Sequence, residues 1–360
     1  MKKLLFGLLA ITGLTVVLSS CKEEIELSGD FKETAVVYAL LDASETTHMM
    51  KITRAFIGPG NAYEFAQEPD SSYFQNLEGT VTELNNGVPT GIVWDLMDTI
   101  VTNKDPNGAF YAPEQKLYYF NGTLNQDNEY RLDLNINNGQ FTVTSTTEMV
   151  RELTETISGA TQPYKFVDNS NELRGSNIQI TSTQNAHKIE INLRVEFTEW
   201  IGTTPTVKSF TYRAGEADCE ENANALFSAN GVTFMNNIAA ACTDDPLITK
   251  RTFNSITTIF TGGSEDLAEY ISVNEPSTDL AQSKPSFTNL EASGDYRVVG
   301  IFTSRSTKSV YKPFIDPTLI ANIRCIDKKT TRYLCQNLGK LFCSDHPGDQ
   351  AAADDAWNCN

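Results

Sequence analysis

The sequence predicts a mainly β protein with two β-sandwich-like domains, short helical insertions and a disulfide-stapled C-terminal tail. Three observations support this prediction. Apolar and polar residues alternate along two long segments, Asn-Gly pairs follow strand-like runs, and six cysteines lie beyond residue 200. A period of two is typical of strands with one buried face, and Asn-Gly favours the tight turns of β-hairpins.

The first element of the chain is a secretion signal that ends at a cysteine. Lys2 and Lys3 precede an apolar run over residues 4–18, and the small residues of Leu18-Ser19-Ser20-Cys21 follow. This arrangement is typical of a signal peptide, and a cysteine directly after the cleavage site makes it a bacterial lipobox. The run is shorter than the ~20 residues that span a bilayer. We therefore predict a lipoprotein signal peptide over residues 1–20 and a palmitate-bearing lipid on Cys21.

Residues 21–32 are predicted to form a lipidated tether. Lys22-Glu23-Glu24 stands directly after the acylated cysteine, and further polar residues extend to Asp30. One interpretation is a solvated spacer. The other is that a lysine-and-acid run at this position is similar to the surface-export signal of Bacteroidota lipoproteins. The two interpretations allow periplasmic retention or surface display, and we favour display from the outer membrane.

The charge of the chain excludes several classes of partner. The formal net charge is −18 over 360 residues, and removal of the signal peptide takes away two of the lysines. A surface this acidic repels nucleic acid and anionic headgroups. Membrane attachment is therefore expected to come from the lipid anchor, and no nucleic-acid partner is predicted.

Residues 33–150 are predicted to form an immunoglobulin-like or fibronectin-type sandwich. Residues 35–41 are a continuous apolar run, and residues 130–136 alternate between apolar and polar side chains. Asn138-Gly139 follows the second of these strands, and Asn86-Gly87 marks another hairpin. Several short strands at this spacing are typical of β-sandwiches.

One segment of the predicted first domain is too irregular for a strand. Residues 58–75 carry the aromatic side chains Tyr63, Phe65, Tyr73 and Phe74. Long loops on sandwiches often bind ligands, and aromatic residues dominate interface energetics, so this segment is a candidate binding loop. The alternative is that the loop folds back and its rings cover the open end of the sandwich, because four exposed rings would reduce solubility.

Residues 151–316 are predicted to form a second β-rich domain. Residues 189–197 alternate more regularly than any other segment, and residues 206–213 can pair back with them across a Gly202 turn. Ser264 is a predicted N-cap for a short helix that follows. The pattern changes after Pro317, where the cysteine-rich tail of residues 317–360 begins.

An even number of cysteines remains once Cys21 is acylated. The six are Cys219, Cys242, Cys325, Cys335, Cys343 and Cys359. In an exported chain an even number indicates disulfides. We predict one bridge between Cys219 and Cys242 and two more within the tail, where three pairings are open. A zinc site beside His346 is the alternative, but the cysteine gaps do not match zinc-binding spacings, so no metal is predicted.

No recognised catalytic motif appears in the sequence. A Gly-x-Ser-x-Gly elbow, an HExxH motif, a P-loop and a dinucleotide fingerprint are all missing. Ser344, Asp345 and His346 are consecutive, whereas the members of a catalytic triad meet in space. The acid pair Asp244-Asp245 fits solvated loop charges better than glycosidase carboxylates. We therefore predict a protein that is not an enzyme and needs no cofactor.

A short motif suggests a modification site. Asp98-Thr99-Ile100 matches the pattern of an acid, a hydroxyl residue and an apolar residue used for O-glycosylation in Bacteroidota. This pattern predicts glycosylation of Thr99. The alternative is that the three residues form a strand edge next to Trp94.

Several segments resemble one family along most of the mature chain. They are Val37 to Leu41, Ala55-Phe56, Ala66 to Phe74, Val273 to Pro276, Gln282, Pro285, Asn289 and Gly300 to Arg305. In this order they resemble a Bacteroidota outer-membrane lipoprotein family of unknown function, often encoded beside TonB-dependent receptors. The resemblance implies two β-rich domains and an outer-membrane location, and it implies no catalytic residues.

Together these observations predict a function without catalysis. The expectation is a surface-exposed binding or accessory subunit, with a TonB-dependent β-barrel receptor as its partner. Two alternatives remain open: a hydrolase of surface polymers with unrecognised carboxylates, and a structural or adhesive surface protein.

Overall fold

The computed structural model describes residues 33–55, 62–108, 111–153, 162–274, 287–315 and 324–344. All of these residues belong to one compact unit. The predicted signal peptide and tether, including Cys21, lie outside the described residues. No helix within the described ranges is long and apolar enough to cross a membrane.

Fifteen strands and five short helices form within these ranges. The strands are β1 (Thr34–Asp42), β2 (Thr47–Ala55), β3 (Leu77–Asn85), β4 (Val88–Asp95), β5 (Met97–Val101), β6 (Gln115–Asn121), β7 (Glu129–Ile136), β8 (Phe141–Glu148), β9 (Ser176–Thr181), β10 (Lys188–Ile201), β11 (Thr204–Asp218), β12 (Asn224–Ala229), β13 (Lys250–Gly263), β14 (Glu291–Ala292) and β15 (Arg297–Pro313). The helices are α1 (Ala62–Ala66), α2 (Pro69–Ser72), α3 (Gly231–Ala241), α4 (Glu265–Asn274) and α5 (Lys328–Gln336).

The strands build three sheets. The largest has eight strands in the order β11-β10-β13-β15-β1-β2-β6-β5. A second sheet has the order β14-β8-β7-β3-β4, and β12 pairs with β9 in a two-stranded ribbon. The prediction of a mainly β fold with several sheets and short helical insertions is confirmed.

The first hydrophobic core lies between the five-stranded sheet and the β1, β2 and β6 part of the large sheet. Every second residue of β7 is buried in it, as the sequence pattern predicts: Tyr130, Leu132, Leu134 and Ile136. The Asn86-Gly87 pair forms the predicted two-residue turn between β3 and β4, with φ angles of 49° and 75°. Both residues therefore adopt the left-handed conformation that this kind of hairpin turn requires.

The second core lies on the β10 and β13 part of the large sheet. The odd-numbered residues of β10 from Ile189 to Phe197 are fully buried there. The ribbon of β9 and β12, together with α3 and α5, supplies the opposing side chains. The predicted β10–β11 hairpin forms, and its turn consists of Gly202 and Thr203 only, because Thr204 and Pro205 already belong to β11. Ser264 also caps α4, because its Oγ accepts a hydrogen bond from the Leu267 N–H.

The predicted boundary between residues 150 and 151 does not separate two sheets. β1 pairs in parallel with β15, so the first and the last of the described strands lie side by side. The large sheet therefore runs through both predicted domains. An immunoglobulin-like domain would take all its strands from residues 33–150, whereas β14 and β15 complete the sheets around the first core. The chain thus has two cores on one shared sheet.

Gly300 makes the parallel pairing of β1 with β15 sterically feasible. It is the partner of Val37 in the register, and its φ of +105° is one that L residues with a side chain rarely adopt. A Cβ at this position would stand 1.9 Å from the Val37 carbonyl oxygen. The backbone fixes the positions of both the added Cβ and the carbonyl oxygen, so no side-chain rotation can relieve this contact.

We predict that Gly300→Ala lowers the free energy of unfolding by at least ~3 kcal/mol, since backbone strain and overpacking act together. Gly91→Ala is the matched control, because Gly91 has a similar φ of +93° and no atom within 4 Å of the added Cβ. The free energy of unfolding of the control should fall by only ~1–2 kcal/mol, because the control has the backbone strain without the steric clash. Urea unfolding of both variants measures the difference, and equal losses would contradict the steric role of Gly300.

The described part of the tail is held by packing and polar contacts. Phe342 is fully buried against the second core. The buried Arg251 guanidinium donates to the carbonyl oxygens of Lys340 and Thr243 and pairs with Glu199 at 3.0 Å. Burial raises the Glu199 pKa, but hydrogen bonds from Thr243 and the Arg251 charge outweigh this and hold the pKa below its ordinary value.

The prediction that all six cysteines are paired is wrong. Cys219, Cys242, Cys325 and Cys335 are free thiols in the structure. Cys343 is disulfide-bonded, while Cys359 lies outside the described residues.

The fold gives the physical reason for the absent Cys219–Cys242 bridge. The Cys219 N–H donates to the carbonyl of His187, directly before β10 begins. Cys242 precedes Thr243, whose N–H donates to Glu199 near the other end of β10. At 3.3 Å per residue the two sites are on the order of 30 Å apart, and a disulfide needs Cα atoms within ~7 Å.

The thiols should differ in their reaction with iodoacetamide. Cys325 is fully buried, and burial raises the pKa of its thiol, so we predict no alkylation until the protein is denatured. After denaturation without reductant, all four free cysteines should be alkylated, as peptide mass spectrometry can measure. A linked peptide containing Cys219 and Cys242 would contradict the structure.

Candidate binding cleft

The large sheet has one covered face and one open face. Phe302 of the first core and Val310 of the second core both lie at even positions of β15, so both cores use the same face. On the opposite face, β1 and β2 present Tyr38, Met49 and Lys51, all exposed. Helix α4 reaches this face at β15, where its Tyr270 contacts Tyr38.

Two adjoining clefts lie on the open face. The first has a volume of about 400 Å³ and is lined by Val36, Tyr38, Lys51, Thr53, Arg54, Ala55, Ser72, Tyr73 and Lys104. The second, of about 510 Å³, shares Tyr38 and Lys51 and extends to Met49, Leu117 and Arg305. We refer to the two together as the Tyr38 cleft. Volumes of 300–1,000 Å³ are typical of sites for small organic ligands.

Two tyrosines form fixed walls of the Tyr38 cleft. The Tyr73 hydroxyl accepts a hydrogen bond from the Lys116 N–H at 3.1 Å. The Tyr38 hydroxyl accepts one from the Tyr270 hydroxyl at 3.2 Å, and the two rings meet edge to face at 6.2 Å. Burial and the bond to Tyr38 raise the pKa of Tyr270 to about 12. A hydrogen bond to the hydroxyl therefore holds each of the two rings in position.

The charge of the Tyr38 cleft is opposite in sign to that of the whole chain. Four cations, Lys51, Arg54, Lys104 and Arg305, line it together with one carboxylate, Glu45, in a protein of net charge −18. Burial and the nearby charge of Lys51 lower the pKa of Lys104. Arg54 pairs with Glu33 at 3.5 Å, and its buried Nε has no hydrogen-bond partner in the described structure. The cleft is thus locally cationic.

Some aromatic residues of the candidate binding loop cover the sandwich, and others border the cleft or are exposed. Phe74 is buried in the first core, where it meets Phe141 edge to face at 6.0 Å. Phe65 is half-buried, and Tyr73 is a wall of the Tyr38 cleft. Tyr63 is 71% exposed on α1. Part of the loop therefore covers the sandwich, and another part borders an open cleft.

The sequence did not identify Tyr38, Lys51 or Lys104 as site residues. Tyr38 lies in an apolar run whose sequence is typical of a fully buried strand. In the structure, Tyr38 occupies an exposed position of β1. Lys51 alternates with the buried Met50 and Ile52, which is the one available sign that it faces solvent. Lys104 lies in a connecting segment, and only the tertiary structure brings it to β2.

Other residues that the sequence analysis considered do not line the Tyr38 cleft or lie outside the described residues. Thr99 is half-buried on β5, an edge strand, and the neighbouring Asp98 pairs with Lys116 at 3.2 Å. Ser344 is fully buried, and Asp345 and His346 lie outside the described residues. The Asp245 carboxylate accepts a hydrogen bond from the Leu247 N–H, which makes it part of a local turn.

Aromatic rings and cationic side chains are the main chemical features of the Tyr38 cleft. Within the described ranges, no group of three or more His, Cys, Asp and Glu residues could hold a metal ion. Burial raises the pKa of the carboxyl group of Glu83, outside the cleft, but hydrogen bonds from Asn128, Thr90 and Tyr130 outweigh this and lower the pKa. What the cleft offers a ligand is aromatic surface and positive charge.

Comparisons with known proteins add little. No protein-family model matches the chain, and no curated protein matches it. Among solved structures it is similar to the C-terminal globular domain of an oligosaccharyltransferase from Pyrococcus abyssi, with 10% identity and a TM-score of 0.21. The match covers 57% of this chain and 41% of that chain, so it spans less than half of that chain's length. This similarity is too low to support a function.

Proposed function

We propose that the mature protein is a lipid-anchored outer-membrane protein, displayed on the cell surface, that acts as a non-catalytic binding or accessory subunit. The observation that carries the proposal is the Tyr38 cleft, which combines fixed aromatic walls and a local excess of cations on an otherwise open sheet face. The lipobox at Cys21 and the Lys22-Glu23-Glu24 run support the location.

The proposed partner is a TonB-dependent β-barrel transporter. This part of the proposal is supported by the resemblance of the chain to lipoproteins that are often encoded beside such receptors. A binding cleft on a lipid-anchored protein could present a ligand to a transporter in the same membrane. A hydrolase would instead need two converging carboxyl groups about 5 to 9 Å apart.

We predict that Cys21→Ala releases the protein from the outer membrane, because a lipid on this thiol is the proposed attachment. Alanines at Lys22, Glu23 and Glu24 should keep the protein membrane-bound but reduce its digestion by protease in intact cells. Fractionation and protease treatment measure both effects. A native protein that protease never reaches in intact cells would contradict surface display.

Recovery of the tagged lipoprotein from its native outer membrane in mild detergent tests the partner. We expect a β-barrel transporter in stoichiometric amount, identified by mass spectrometry. The Cys21→Ala variant, which lacks the anchor, is the control for association after lysis. Repeated recovery of the lipoprotein without any membrane partner would contradict the accessory role and favour an adhesive or structural one.

A further inference from the structure

We propose that a second cleft, on the face of the large sheet that carries the cores, binds a small hydroxylated organic anion. The cleft has a volume of about 290 Å³ and lies between β9, the segment of residues 162–165 and the core face of β13. We refer to it as the Arg174 cleft. It shares no described lining residue with the Tyr38 cleft, so the inference goes beyond the proposed function and does not depend on it.

Backbone contacts between two segments bring two cationic residues to the Arg174 cleft. The Arg174 N–H donates to the Phe166 carbonyl at 2.9 Å, and the Lys165 N–H donates to the Ser176 hydroxyl oxygen at 3.1 Å. Residues 165–166 therefore lie directly beside residues 174–176. Lys165 and Arg174 both line the cleft, and both are exposed, so an incoming ligand can reach them from solvent.

The charge of the Arg174 cleft favours an anion. Lys165, Arg174 and Lys312 line it, and no carboxylate stands among its described lining residues, although the net charge of the chain is −18. Between described residues, no ion pair involves Lys165 or Arg174, and the Arg174 Nε donates only to the adjacent Gly175 carbonyl. An anion would therefore meet two cationic groups without displacing an ion pair between described residues.

One carboxylate near Arg174 has a structural role outside the Arg174 cleft. Asp168 interacts electrostatically with Arg174 but does not line the cleft. Its carboxylate accepts hydrogen bonds from the N–H groups of Ser170 and Glu172, at 2.8 and 2.9 Å. Asp168 therefore holds a local turn and does not occupy the place of the ligand.

Lys312 adds positive charge from within the protein. It is only 6% exposed, its ammonium donates to the Gln162 carbonyl at 3.3 Å, and it lies 4.7 Å from the centre of the Tyr164 ring. These contacts hold the ammonium in place against the cleft. We therefore assign the direct contacts with the acidic group to Lys165 and Arg174, and none to Lys312.

The other polar groups of the Arg174 cleft favour hydroxyl groups on the ligand. Asn177 and Gln162 are exposed and carry amide side chains, which both donate and accept hydrogen bonds. An inorganic anion would leave these amides in water. An apolar acid would displace that water without replacing its hydrogen bonds, which is unfavourable. The volume lies at the lower end of the range for small organic ligands, so one sugar-acid ring is of suitable size.

Four small probes separate the charge from the hydroxyl groups. D-glucuronate and D-glucose 6-phosphate carry both, D-glucose lacks the acidic group, and acetate lacks the hydroxyls. Each is titrated calorimetrically into the purified full-length protein, in a non-ionic detergent that has no sugar headgroup. We expect saturable binding of a charged sugar at one site, about ten-fold tighter than glucose or acetate, the size expected for one hydrogen bond to a charged group. The stronger of the two charged sugars shows whether the acidic group is a carboxylate or a phosphate.

Three variants test the position of the site. Arg174→Gln and Lys165→Gln should each weaken the binding of the charged sugar about four-fold, the size expected for one exposed ion pair. Arg194→Gln makes the same charge change at an exposed position of β10, on the opposite face of the large sheet, and is the matched control. Circular dichroism and thermal melting confirm that each variant is folded.

Several outcomes would overturn the inference. They are no saturable binding of either charged sugar, an equal affinity for glucose or acetate, and an affinity in Arg174→Gln and Lys165→Gln that equals that of the Arg194→Gln control. None of these measurements involves a membrane partner or the Tyr38 cleft, so the proposed function stands or fails separately.

Discussion

The parallel pairing of β1 with β15 is the interaction on which the rest of the structure depends. It joins the first described strand to the last one and closes eight strands into one sheet. The first core needs Phe302 from β15, and the second core uses Val310 of the same strand. Gly300 permits the pairing, because no other residue type leaves room for the Val37 carbonyl. The pairing of β1 with β15 thus connects both cores.

The same pairing creates the proposed site. Because both cores lie on one face of the large sheet, the outer side chains of β1 and β2 are left without a covering sheet. Helix α4 follows β13 and reaches that face at β15, where its Tyr270 holds Tyr38. Tyr73 and Lys104 close the far side of the cleft. The cleft is therefore a product of the tertiary arrangement, with no single segment that supplies it.

Local features of the fold could be predicted from the sequence. The alternating burial of β7 and β10, the Asn86-Gly87 turn and the Ser264 cap depend on residues near one another in the chain. The parallel pairing of β1 with β15 could not be predicted from the sequence, because the two strands are far apart in the chain and an apolar run does not specify its partner strand. Two segments with separate cores therefore looked like two separate domains.

The state of the cysteines and the residues of the Tyr38 cleft could not be predicted from the sequence, for related reasons. An even cysteine count is an argument about the redox compartment, whereas a bridge requires proximity, and β10 holds Cys219 and Cys242 apart. The sequence indicated the aromatic loop as a candidate binding loop, but it could not distinguish the buried Phe74 from Tyr73, which lines the cleft. The exposure of Tyr38 could not be predicted for the same reason. Tyr38 lies in an apolar run, and distant strands decide which face of that run is buried.

Hydrogen exchange measured across a urea titration tests the central claim, that two cores share one sheet and form one cooperative unit. Peptides from β1 and β6 report on the first core, and peptides from β10 and β13 report on the second. One shared sheet predicts that all four strands lose protection at the same urea concentration. Separate midpoints for the two pairs would show that the halves unfold independently, which would contradict the account.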